Sequence, residues 1–323
     1  MLGPKKLLAL ALAMIGLVHS SVRAQEAWPS RPIRFVVPST PGSTSDLTAR
    51  AVGQQLAKSL GQPVVVENRP GAAGQIGMSA VAQSKPDGYS FIVVSASTTV
   101  VPPAVIKSLP YNVLKDFAPV SLIANTRLLL AVAKDSPFQS VADIVTKAKV
   151  EPGKYTYGQS ATLYQLSMER FKQLANIELT AVPYKGPTDA MNDLMGGNIS
   201  MTPDSLGSVS EMVRSGRVRA LSVFSATRMS NLHDVPTMIE LGYKDFVFDG
   251  WIGLLAPAET PPSIIDKLAQ AIPPALASAA IQRLYAQLSL DTSSTTPSQF
   301  AAMLANETGR YDEIARQAKI PKQ

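Results

Sequence analysis

The chain has 323 residues, 46% of them hydrophobic and 17% charged, and no cysteine. That composition supports a sizeable core and argues against disorder, and the length suffices for two domains or one large one. The formal charge is +6, but without Lys5, Lys6 and Arg23 it is +3, from 27 basic and 24 acidic residues. No dense Lys/Arg cluster follows, so nucleic acid is a poor candidate partner.

Met1–Ala24 has the three parts of a secretory signal. Lys5 and Lys6 open it, Leu7–Val18 is an apolar run, and Val22-Arg23-Ala24 is a small-x-small cleavage pattern. Twelve helical residues reach only about 18 Å, too short for a comfortable membrane span. No later stretch is apolar enough to cross a membrane. The absence of cysteine excludes disulfides, a thiol nucleophile and a cysteine-linked lipid anchor. The expectation is a soluble bacterial periplasmic protein.

Strand and helix signals then alternate, which predicts α/β layers. Ile33 and Phe35–Val37 read as a strand buried in a parallel sheet. Pro38, Pro41 and Gly42 stop it, Ser43–Asp46 offer several N-caps, and Leu47, Val52, Leu56 and Leu60 recur at helical spacing up to Gly61. Val64–Val66 is a strand, Ala72–Ser84 a small-residue helix, and Phe91–Val94 a strand entering the hydroxyl-rich run 95–99. Strands follow at Leu122–Ile123 and Leu128–Ala133. Ser140 and Asp143 form a capping box. Tyr155–Tyr157 is a short strand before the loop 158–162 and a helix over 163–175. Leu179–Val182 is a strand, and Tyr184-Lys185-Gly186-Pro187 leads into a helix ended by Gly196-Gly197. Ile199–Thr202 is a strand, with Pro203-Asp204-Ser205 capping a helix to Gly216. Val218–Phe224 and Asp249–Ala256 are later strands. Helices from Pro261 or Pro262, near 277–287 and over 297–318 close the chain. No repeat or low-complexity tract stands out.

Small polar residues therefore fall in five loops after strands: 41–46, 97–99, 159–162, 184–187 and 203–205. In open parallel sheets ligands bind outside the strands' carboxyl ends. Backbone amides, hydroxyls and helix starts offer neutral donors suited to a carboxylate. Asp46 either orders its loop or accepts from a ligand amino group. Its plainer role is a first-turn acid favoured by the helix dipole. Asp204 is an N-cap by default and a pocket residue if its strand end faces a cleft. Lys185 reads as a solvated side chain and Tyr184 as partly packed.

Catalytic and cofactor chemistry finds little material. His233, beside Asp234, is the single histidine after the signal, and no G-x-S-x-G elbow occurs. There is no paired histidine or calcium loop, no Gly-Lys-Ser/Thr after Gly42 and no G-x-G-x-x-G, so no metal and no cofactor is expected.

Several segments in order carry a resemblance over essentially all of the chain beyond the signal. They include Trp28-Pro-x-Arg-Pro-Ile33, Pro41-Gly-x-x-x-Asp46 with Ala49-Arg50, and Val66-Glu-Asn-Arg-Pro-Gly-Ala-x-Gly74. They continue through Lys85-Pro-Asp-Gly-Tyr89, Asp116-Phe-Ala-Pro-Val120, Val182-Pro-Tyr-Lys-Gly186, Val235-Pro-Thr237 and Gly253-Leu-Leu-Ala-Pro257. The sequence resembles the Bug-type periplasmic receptors of tripartite tricarboxylate transporters. That resemblance implies a type II periplasmic-binding fold, two α/β domains closing on a ligand in the cleft between them. It places domain crossings near Asn125 and Phe248, with 25–125 and 249–323 in one domain and 126–248 in the other. It implies a monomeric, non-enzymatic receptor that grips a small organic anion and docks on membrane permease subunits. Carried over, the first ligand loop is Pro41, Gly42, Ser43, Thr44 and Asp46. The second is Ser97, Thr98 and Thr99, the third Ser160, Ala161 and Thr162, and the fourth contributes Asp204. The sequence departs from the family at Ser43, where a second glycine is usual. It departs again at Tyr164-Gln165-Leu166, where a longer run ends in His-Leu. A sensory receptor of the same fold signalling to a membrane kinase, and an exported hydrolase using His233, are the alternatives.

Overall fold

The computed structural model describes residues 28–184, 186–229 and 232–322; the signal segment and Lys185 lie outside them. The first stretch builds β1 (Ile33–Val37), α1 (Thr44–Leu60), β2 (Val64–Asn68), α2 (Gln75–Ala82), β3 (Ser90–Ser95), α3 (Pro102–Val105) and β4 (Phe117–Thr126). The middle builds β5 (Leu128–Ala133), α4 (Val141–Val150), β6 (Thr156–Gln159), α5 (Thr162–Ala175) and β7 (Thr180–Pro183). It goes on through α6 (Pro187–Met195), β8 (Thr202–Ser205), α7 (Leu206–Arg214) and β9 (Val218–Val223). The last stretch is β10 (Gly250–Pro257), α8 (Pro262–Leu276), α9 (Ala279–Leu288), β11 (Leu290–Thr292) and α10 (Pro297–Gln317).

Six strands make one sheet in the order β11-β4-β10-β3-β1-β2. β1 runs parallel to β2 and β3, and β10 runs antiparallel between β3 and β4. In the middle segment β5 lies antiparallel between β8 and β9, and β6 pairs parallel with β7. A bridge from Tyr157 to Met201 sets β6 beside the entry to β8. The order β7-β6-β8-β5-β9 therefore repeats β2-β1-β3-β10-β4. In each half the second, first and third strands are followed by a returning strand and then the fourth. This is the two-domain α/β architecture of type II periplasmic binding proteins.

The apolar runs explain the layers. On β1, Ile33, Phe35 and Val37 pack with Ala49, Val52 and Leu56 of α1, while Val36 faces Met78 and Val81 of α2. On β5, Leu128, Leu130 and Val132 point to one core and Leu129 and Ala131 to the other, under α6 and α7. A continuous apolar run is thus a strand covered on both faces. Pro119 sits inside β4 where the pairing with β10 shifts register between Leu254 and Leu255. Proline has no amide to give a ladder and fits at such a bulge.

Gly253 of β10 has no room for a side chain. A Cβ there would lie 2.4 Å from Cζ of the buried Phe300 and 3.3 Å from the Ser121 carbonyl. Gly253→Ala should lower stability by about 1–3 kcal/mol through overpacking. Denaturant unfolding checks this, and an unchanged midpoint would contradict the packing.

Two sequence expectations shift. The helix expected from Ala72 begins at Gln75, because Ala72, Ala73 and Gly74 take φ values of 47°, 53° and 92°. The strand expected over Ile199–Thr202 is β8 at Thr202–Ser205, so Asp204 lies in a strand and Ser205 is the N-cap of α7. The Ser140–Asp143 capping box and the Gly61 stop of α1 occur as expected.

Arg127 is the one residue between β4 and β5. Its Nη1 donates to Asp249 Oδ2 at 2.9 Å, just before β10, and its Nε to Asp291 Oδ2 at 2.7 Å. A single guanidinium therefore clasps both connections between the sheets.

Candidate functional site

The loop from β1 to α1 is tied down by Asp46, which is buried. Its Oδ2 accepts from the Gly42 amide at 2.8 Å; its Oδ1 accepts from Arg50 Nε at 3.0 Å and Asn68 Nδ2 at 2.9 Å. Asn68 also donates to the Ser39 carbonyl and accepts from Arg50, closing the network. Burial pushes the Asp46 carboxyl up, but Arg50, the Gly42 amide and Asn68 together hold it below its ordinary value. Ser43 is the N-cap: its Oγ accepts the Asp46 amide at 3.3 Å and meets Ser39 Oγ at 2.7 Å. The Gly42 amide thus faces Asp46, and the Thr44 and Ser45 amides of the first turn take no partner among the described residues. Those two donors, at the positive end of a 17-residue helix, suit an anion. Pro41, Gly42 and Thr44 are exposed.

Two more turns of the same sheet edge converge there. After β2 the backbone is left-handed from Gly71 through Gly74, where side chains rarely go. A Cβ on Gly74 would lie 2.9 Å from Thr98 Cγ2 and 3.5 Å from Pro38. After β3 comes a tight turn, Ala96–Thr98. Thr98 Oγ1 accepts the Ser95 amide at 3.0 Å, and buried Thr99 donates to the Ser95 carbonyl at 2.6 Å. The Thr98 and Thr99 hydroxyls therefore hold the turn, and Ser97 is left exposed. This turn neighbours α5 of the other half.

In that half, α5 starts at Thr162 with no side-chain cap on Ala161. The Thr162 and Leu163 amides have no partner among the described residues. Ser160 Oγ is buried and has no partner among the described residues. The Tyr157–Met201 bridge sets the end of β6 beside β8. Asp204 is fully buried. Its Oδ1 accepts from the Ser205 amide at 2.7 Å and lies 3.4 Å from the Tyr164 hydroxyl, while Oδ2 has no partner among the described residues. Burial, against the pull of these donors, pushes its carboxyl up to about 6. A cavity of ≈ 240 Å³ opens beside it under the first turns of α6 and α7.

Sequence reasoning gave no role to Arg50, Asn68 or the left-handed run 71–74, and it missed the bond between Tyr164 and Asp204. The i, i+4 spacing of Asp46 and Arg50 could have signalled the first. Asn68 before Arg-Pro-Gly at a strand end hinted at the second. Tyr164 stands out only as a departure from the family, and nothing local marks its bond to Asp204, 40 residues away. Tyr184, also expected to be partly packed, is half-buried and donates to Asp193 at 2.7 Å.

His233 and Asp234 sit 3.3 Å apart with side chains 80% and 91% exposed. Among the described residues no group of three His, Asp or Glu could hold a metal, and no helix is long and apolar enough to cross a membrane.

Residues 48–320 match the profile of the tripartite tricarboxylate transporter family receptor. Protein BugT of Bordetella pertussis is 35% identical over 314 residues, spanning 95% of this chain and 96% of that protein. The solved structure of Rpa4515 of R. palustris with adipate is 32% identical with a TM-score of 0.77, covering 92% of this chain and all of that one. MatC of Rhodopseudomonas palustris with bound malate is 27% identical with a TM-score of 0.72, over 89% of this chain and all of that one.

Proposed function

The chain belongs to the tripartite tricarboxylate transporter receptor family, and we propose that it captures a small organic carboxylate in the periplasm and hands it to a membrane permease. The observation that carries this reading is the pair of helix starts, α1 and α5, whose first-turn amides have no partners among the described residues. Neutral donors at helix starts hold an anion without a basic side chain. The bound adipate and malate of the related structures support the ligand class.

In this reading residues 25–125 and 249–323 form one domain and 126–248 the other. The sheets support the division: the larger draws on 33–126 and 250–292, the smaller strands on 128–223. The grip combines the loop Pro41–Asp46, the turn Ser97–Thr99, the start Ser160–Thr162 and Asp204. Asp46, Thr98 and Thr99 serve it by fixing backbone, and Ser97, Ser160 and the free amides by donating. Ligand selects the closed form because only there do both half-sites touch it. The protein binds rather than transforms its ligand. Cleavage of the signal segment 1–24 delivers it to the periplasm.

A thermal-shift screen of mono-, di- and tricarboxylates, aromatic acids and amino acids tests this. At a hundredfold excess over Kd a true ligand adds about 2.7 kcal/mol, a rise of roughly 4–5 °C. Stabilisation by an uncharged solute, with every acid inert, would sink the carboxylate reading.

A further inference from the structure

Two acids, Asp46 in the first turn of α1 and Asp204 in β8, are buried, and their surroundings are opposite. Asp46 has both oxygens bonded and a guanidinium beside it. Asp204 receives the Ser205 amide and the Tyr164 hydroxyl on Oδ1, the Ser208 hydroxyl adds a weaker pull, and Oδ2 has no hydrogen-bond partner among the described residues. A buried ionised oxygen with neither donor nor cation is costly. A neutral acid fits the same contacts: Oδ1 is the carbonyl that accepts, and Oδ2 carries a proton it can give away.

Among the described residues the surroundings supply no countercharge. Tyr164 comes from α5, Leu129 lies opposite in the β5 register, and Ser205 and Ser208 stand at the start of α7. From α6 the cavity receives Pro187, Thr188, Met191 and Asn192. None of these is charged. Of the acids on α6, Asp189 is exposed and Asp193 is bonded to Tyr184.

We propose that Asp204 acts as a neutral acid, donating a hydrogen bond from Oδ2 to a carboxylate oxygen of the ligand, so that capture of the anion takes up a proton. In the complex the proton stays on Asp204 and is not passed to the ligand; the ionised fraction of the free protein draws it from solvent as ligand binds. The inference rests on the carboxylate-receptor reading. It makes Asp204 a specificity residue: an ionised Asp204 would repel the anion, and the acid form welcomes it. The raised carboxyl of the ligand-free protein, about 6, agrees.

Calorimetric titration with adipate, malate and any acid found in the screen is the test, run at pH 7.5 in two buffers of different ionisation enthalpy and again at pH 5.5. Binding at pH 7.5 should take up close to one proton. Affinity should fall roughly twentyfold from pH 5.5 to 7.5, the drop in the acid fraction of a group titrating at about 6. In Asp204→Asn both effects should vanish, because an amide donates at either pH. Binding by the wild type with no proton uptake overturns the inference and leaves the receptor reading standing; this arm needs no variant to fold. An unchanged pH slope in Asp204→Asn also overturns it. If no acid binds at either pH, the receptor reading fails and takes the inference with it.

Discussion

Replacing Gly42 with valine is expected to weaken ligand binding by about a hundredfold or more while the protein stays folded. Gly42 sits at φ +80°, and no atom lies within 4 Å of where its Cβ would be. The obstacle is therefore the backbone and not a clash. A β-branched residue held left-handed costs roughly 1–3 kcal/mol. The loop can relieve that strain by turning, which pulls the Gly42 amide off Asp46 and moves the Thr44 and Ser45 amides. Donors shifted by about 1 Å no longer meet an anion in good geometry. Calorimetry with an acid from the screen should show the loss, with circular dichroism unchanged and the melting point down only a few degrees. Wild-type affinity in Gly42→Val would remove this loop from the grip.

Asp46→Ala should cost stability as well as binding, by about 2–4 kcal/mol, or a fall of roughly 5–10 °C in melting temperature. The substitution strands the Gly42 amide and the Asn68 side chain and frees Arg50. Arg50→Ala should cost less, under about 1 kcal/mol, because its side chain is half exposed. The pH dependence has a definite sign. The Asp46 carboxyl is depressed in the folded state. Its contribution is therefore complete above the unfolded carboxylate value near 4 and is lost as pH falls through the lower folded value. Acid unfolding of wild type and Asp46→Ala should thus converge at low pH. A constant gap down to about pH 2 would contradict the network.

Much of this was legible in residue patterns, because the governing physics is local. Apolar runs at Ile33–Val37 and Leu128–Ala133 mark strands covered on both faces, and Ser43, Ser140 and Gly61 mark helix ends. The misreadings arose where distant contacts decide. Pro203 and Asp204 look like a cap, yet the ladder to Leu130 and Leu129 draws them into β8. Ala72 and Ala73 look helical by propensity, yet they are held left-handed where the 72–74 turn meets the Ala96–Thr98 turn. The five loops after strands could be found from sequence. Which hydroxyls point outward and which hold the turn could not, because that depends on single torsions, as Thr99 beside Ser97 illustrates.

The clasp at Arg127 has a mechanical consequence. β4 and β10 are adjacent strands, and the two connections leave the large sheet side by side, bound to one guanidinium. Two neighbouring ribbons cross-linked at their exit resist sliding past each other and twisting apart. If the two sheets move, the clasp favours bending about a line across both ribbons, and a pair of distance labels on the two sheets would report it.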